Sequence, residues 1–151
     1  MSYIMDLRKH IGHAPLIGVG ATTLVFNDQN ELLLNLRTDT NTWGIPGGAM
    51  ELYESSEETA IRELQEETGI HAEELELVSV LSGKDFYFEY PNGDRMCTVI
   101  VLFKVPHFTG TLKASDVESK ALRFFPLTDL PAMESRAERI VQKILDGTIP
   151  L

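Results

Sequence analysis

A single cysteine, Cys97, stands among 151 residues, so neither an internal disulfide nor a Cys-x-x-Cys zinc site can form. No apolar run approaches the roughly eighteen residues that a membrane span needs. The opening stretch MSYIMDLRKH carries Asp6 where a signal peptide requires apolar residues. Positive charge is scarce as well: 13 Lys and Arg face 23 Asp and Glu, a net charge of −10. A binder of phosphate backbones needs a basic face, and this balance argues against nucleic acid as a partner. The four histidines show no ligand spacing apart from His10 and His13. The expectation is a soluble, cytoplasmic chain in a reducing compartment, with no membrane partner. Hydrophobic residues at 43% supply a core, and the length suits one domain over residues 1–151.

The acidity is concentrated. Seven glutamates and one arginine fall between Gly48 and Ile70. Around this segment the pattern predicts strands at 16–26, 31–37, 75–81, 85–90, 96–105 and 121–126, and helices at 4–11, 56–68 and 135–145. Ser55 and Glu58 have capping-box spacing, and Gly69 stands just past the helix end. Pro91-Asn92-Gly93 reads as a hairpin turn, and the apolar run 96–105 as a doubly buried strand with Cys97 inside it. That run is either central or an edge that pairs across a homodimer. The order of elements gives a mixed sheet with one central and one terminal helix, an α+β or α/β sandwich.

On a helix turning about 100° per residue, Glu63, Glu66 and Glu67 share one arc of roughly 100°, beside an apolar stripe of Ala60, Ile61 and Leu64. Like charges at these spacings repel, more so where partly desolvated. A divalent cation reverses the sign, and hard oxygen ligands suit Mg²⁺ or Mn²⁺. A solvated acidic face is the plainer reading. Arg62 either orients a carboxylate through a bidentate pair or makes a surface ion pair with Glu58 or Glu66. Gly47-Gly48 is either a turn or a close approach of backbone to the metal.

Gly48, Glu54, Arg62, Glu63, Leu64, Glu66, Glu67, Gly69 and Ile70 fill every fixed position of G-x5-E-x7-R-E-U-x-E-E-x-G-U, where U is a bulky aliphatic residue. In this the chain resembles the Nudix hydrolases of the MutT-like kind, as does the lead-in Trp43-Gly44-Ile45-Pro46. The resemblance implies an α/β/α sandwich with a mixed β-sheet. It implies a Mg²⁺-dependent hydrolase, with Mn²⁺ able to substitute, that cleaves the diphosphate link of a nucleoside diphosphate joined to a group X. Carried over, Glu63, Glu66 and Glu67 bind metal, the Gly48 carbonyl is a further ligand, and Glu66 or Glu67 serves as base. Glu54 and Arg62 organise the loop and helix. The family also uses acidic residues outside the box; here the candidate is Glu118, unless Ser115–Glu118 is merely a solvated loop.

For the substrate, Arg37 could reach a phosphate, with Lys84 a weaker choice. Trp43, Phe86, Tyr87 and Tyr90 could stack on a base, although aromatics in strands more often pack in cores. Tyr87 lies seventeen positions past Ile70, as in some hydrolases of dinucleoside polyphosphates. Asp85 and Phe86 stand where ADP-ribose-type members tend to have proline. Dinucleoside polyphosphates and nucleotide sugars are therefore the first expectation. A housecleaning pyrophosphatase of modified nucleoside triphosphates is the alternative. A nucleotide-sensing or RNA-end-binding module without turnover is the reading from another class, and the complete carboxylate set argues against it.

Overall fold

The computed structural model describes residues 2–151. Three helices, α1 (Tyr3–Ile11), α2 (Ser56–Thr68) and α3 (Ser135–Leu145), accompany eight strands. These are β1 (Leu16–Leu24), β2 (Glu31–Arg37), β3 (Trp43–Gly44), β4 (Gly47–Ala49), β5 (Ile70–Leu81), β6 (Tyr87–Glu89), β7 (Arg95–Gly110) and β8 (Ser119–Pro126). The larger sheet has the order β4-β1-β7-β5, with β6 also on β7; the smaller is β3-β2-β8. β1 and β7 run parallel and every other pair is antiparallel, which gives the expected mixed-sheet α/β architecture.

Two apolar clusters bracket β2. Leu32 and Leu34 pack with Leu24, Ile100, Leu102, Ile140 and Val141 on the α3 side. Leu33 turns the other way to Val25, Leu64, Ile70 and Val105 on the α2 side. β2 is thus the strand buried on both faces. The same expectation for 96–105 is corrected: β7 is central in its sheet but alternates buried with open positions, and Cys97 lies on its exposed face. The covering helix α2 reaches only the far end of that face, at Ala21, Ala60 and Phe103.

Helix α2 has the expected limits for local reasons. The Ser55 Oγ accepts from the Glu58 N–H, Glu58 Oε1 accepts from the Ser55 N–H, and Gly69 ends the helix at φ 78°. β5 begins at Ile70 rather than at 75, because β7 continues to Gly110 and pairs with it through three register shifts. The segment expected as a strand over 85–90 opens instead as a 3₁₀ turn at Lys84–Phe86 before β6. The turn tucks Phe86 into the core, where its carbonyl accepts from Thr98. α1 buries no residue and is tied at its ends, by the Tyr3 N–H to Glu51 Oε1 at 2.7 Å and by Arg8 to Ala14 and Arg95 carbonyls.

Candidate active site

β4 lies antiparallel on β1, with Gly20 opposite Ala49, Ala21 opposite Gly48 and Thr22 opposite Gly47. A Cβ on Gly20 would stand 2.7 Å from the Gly48 carbonyl, and one on Gly47 2.5 Å from the Ala21 carbonyl. A Cβ on Gly48 would fall onto the Glu63 carboxylate. Neither Gly47 nor Gly48 has positive φ. The glycine pair is therefore required by close approach: it seats β4 against β1 while α2 brings carboxylates onto its outer surface.

Arg62 organises that surface. Its five N–H donors all find partners: Nε and one Nη on the two oxygens of Glu54 at 2.7 and 2.9 Å, and others on Glu63 Oε1 at 2.8 Å, Glu66 Oε2 at 3.3 Å and the Ala49 carbonyl at 3.1 Å. The guanidinium bonded to Glu54 holds that carboxyl down at about 2. Both sequence readings of Arg62 are thus realised together, orientation of Glu63 and an ion pair with Glu66.

Glu63, Glu67 and Glu118 converge, with ligand oxygens all within 4.8 Å of one another. Glu118 arrives from the loop before β8. Thr38 bonds that loop at the Val117 and Glu118 carbonyls, and Ser115 Oγ accepts from the Glu118 N–H at 3.1 Å. Glu67 is buried and accepts from the Gly47 N–H at 2.9 Å. Burial, with Glu63 beside it, pushes its carboxyl well above the usual range. Burial likewise raises Glu63 to about 6 against the pull of Arg62. Glu66 is not in the trio; it is exposed and turned to Arg62. Three oxygen ligands crowded together, one of them buried with a single backbone donor, form a set that a hard divalent cation fits.

The trio lines a cleft of about 450 Å³. Arg37, on the same wall, forks onto Asp39 at 2.9 and 2.7 Å, which leaves N–H donors on Nη1 and Nη2. Trp43 and Tyr87, expected as stacking residues, are not part of the lining. Trp43 packs edge-on against Phe125 beside the core, and Tyr87 is exposed on β6 outside the cleft. The lining instead includes Tyr90, Glu134 and Arg136. Of these only Tyr90 was among the aromatic candidates. Arg136 had one local signal, a cation in the first turn of a helix, where the macrodipole disfavours it.

The family model described as the NUDIX domain matches residues 16–144, so the chain belongs to the Nudix family, hydrolases that act on phosphoric anhydrides and generally use a divalent metal. It is similar to a MutT-like protein of Streptomyces ambofaciens, 33% identical over 97% of this chain and 87% of that protein. It is also similar to an ADP-ribose pyrophosphatase of Methanocaldococcus jannaschii, 31% identical over 91% and 78%. Among solved structures, a MutT NUDIX hydrolase from Burkholderia pseudomallei superposes with a TM-score of 0.72 at 26% identity, covering 85% of this chain and 98% of that one. No helix among the described residues is long and apolar enough to cross a membrane.

Proposed function

We propose that the protein is a Mg²⁺-dependent pyrophosphohydrolase that cleaves the diphosphate link of a nucleoside diphosphate joined to a group X. The observation that carries this reading is the convergence of Glu63, Glu67 and Glu118 in a cleft large enough for a nucleotide. When bound, the cation neutralises the diphosphate and lowers the pKa of bound water. Glu63, Glu67 and Glu118 hold it, and the Gly48 backbone, against which the Glu63 carboxylate packs, offers its carbonyl as a further oxygen donor. Arg62 fixes the direction of Glu63, and the spare donors of Arg37 hold a phosphate oxygen. Glu66, whose charge is not committed to the trio, completes the ligand set or takes the proton of the attacking water.

The relative named as an ADP-ribose pyrophosphatase supports a nucleoside diphosphate-X substrate. It also keeps ADP-ribose among the substrates to test, against the weak signal at Asp85 and Phe86. A relative named as a putative 8-oxo-dGTP diphosphatase, 45% identical over 35% of this chain, supports the second reading, a pyrophosphatase of modified nucleoside triphosphates. One assay separates them: dinucleoside polyphosphates, nucleotide sugars, ADP-ribose and modified triphosphates are incubated with Mg²⁺ and the products resolved by chromatography. The expected products of the first reading are a nucleoside monophosphate and a phosphorylated X. Inorganic pyrophosphate from triphosphates alone would move the assignment to the second. No hydrolysis with either Mg²⁺ or Mn²⁺ would overturn both.

A further inference from the structure

Past the carboxylates, the cleft is walled by Tyr90, Glu134 and Arg136. The Arg136 guanidinium lies over the Phe88 ring, with Cζ 4.1 Å from its centroid, and 5.8 Å from that of Tyr90. Those two rings meet edge to face at 4.8 Å. Arg136 Nε donates to one oxygen of Glu134, and the other oxygen accepts from the Ala137 N–H at 2.9 Å. Each oxygen of the buried Glu134 carboxylate thereby has a donor of its own. The two terminal nitrogens of Arg136 have no hydrogen-bond partner among the described residues, which leaves four N–H donors unspent. The side chain is only 13% exposed, and its terminal nitrogens remain open to whatever enters the cleft.

Charge decides what these donors suit. Arg136 is matched by Glu134, so it brings no excess of positive charge for a phosphate beyond the one assigned to Arg37. What it offers is a rigid planar set of donors braced on an aromatic ring, next to the apolar Met96 and Ile140. That combination fits a flat heteroaromatic ring with two neighbouring acceptors on one edge. Guanine presents O6 and N7 side by side, whereas adenine presents N7 beside an amino donor, which a guanidinium cannot match.

We infer that this end of the cleft holds the nucleobase and that Arg136 selects a 6-oxopurine over adenine by donating to O6 and N7 together. The inference rests on the substrate being a nucleotide, as proposed above, and names its base.

The test is equilibrium binding of GMP, IMP and AMP by calorimetry in the presence of Mg²⁺, with wild-type protein and with Arg136→Lys. Lysine keeps a cation beside Glu134 but not the paired donors. GMP and IMP, which share O6 and N7, are expected to bind alike and roughly ten- to a hundredfold more tightly than AMP. Arg136→Lys is expected to reduce that preference to less than about threefold, the substitution having removed the bidentate pairing. It should melt within a few degrees of wild type, because the ion pair is retained. In turnover it should raise KM for guanine substrates and leave kcat unchanged. Equal binding of GMP and AMP, tight GMP with weak IMP, a preference that survives in Arg136→Lys, or no nucleotide binding at all would each overturn the inference. Failure to hydrolyse any diphosphate, with the GMP preference intact, would instead overturn the hydrolase reading alone.

Discussion

Replacing Glu67 by glutamine should make the metal-free protein more stable while abolishing its activity. Glu67 faces Glu63 and Glu118 at no more than 4.8 Å between ligand oxygens. At an effective dielectric of about 20, two unit charges at that distance repel by about 3.5 kcal/mol. Glutamine removes both of these repulsions and keeps an oxygen for the Gly47 N–H. Wild-type protein without metal relieves part of the repulsion by holding protons, since the carboxyls of both Glu63 and Glu67 are raised. A raised carboxyl contributes its full stability below the unfolded value of 4.5 and loses it as pH climbs, through about 6 for Glu63 and higher for Glu67. The gap between variant and wild type should therefore be small at pH 5 and reach about 2–4 kcal/mol at pH 8. For a domain of this size that is a rise of about 4–16 °C in melting temperature. Mg²⁺ at a thousand times its Kd should reverse the order, adding about 4.1 kcal/mol to wild type and little to the variant. Differential scanning fluorimetry in EDTA and in Mg²⁺, across pH 5–8, reads all of this. A metal-free Glu67→Gln protein that melts at or below wild type at pH 8 would refute the reasoning.

Three other outcomes are expected. Gly48→Ala drives a methyl group into the Glu63 carboxylate and should lower kcat about a hundredfold through misplacement of the site, with unchanged circular dichroism; an unaltered kcat would refute the close-approach argument. Arg62→Gln strips the ion pair from Glu54 and the donors from Glu63 and Glu66, so the melting temperature should fall by about 6–12 °C, or about 3 kcal/mol. A fall of less than 2 °C, a threshold of about half a kcal/mol, would show that solvent already screens the network. Ser55→Ala removes half of the capping box and should lower the melting temperature by about 2–4 °C while leaving kcat intact, because it touches no ligand of the cleft; a tenfold loss of kcat would show that the helix start is coupled to the carboxylates.

What was legible in the sequence was what short-range chemistry dictates. The limits of α2 follow from Ser55, Glu58 and Gly69, all within a turn of the ends they define. β2 and α3 also matched, their apolar spacing being unbroken. The misses share a cause, a partner distant in the chain. β5 gains its first five residues from pairing with the far end of β7. Trp43 is withdrawn from the cleft by Phe125. Cys97 is exposed because α2 stops short of its stretch of sheet. In the site, the helical wheel put Glu63, Glu66 and Glu67 on one edge, but Arg62 draws Glu66 toward the outside. Glu118, which the family resemblance offered as the acidic residue outside the box, takes the third position in the trio from fifty-one residues beyond Glu67, through loop bonds to Thr38 and Ser115 that no periodicity reveals.

That long reach of Glu118 has a consequence for a growing polypeptide. A ribosome that has released the chain only as far as Lys113 has delivered the whole motif helix but not the last member of the oxygen cage. On the proposed function the complete set of oxygens is thus a late acquisition, gained when the segment ending in β8 zips onto β2.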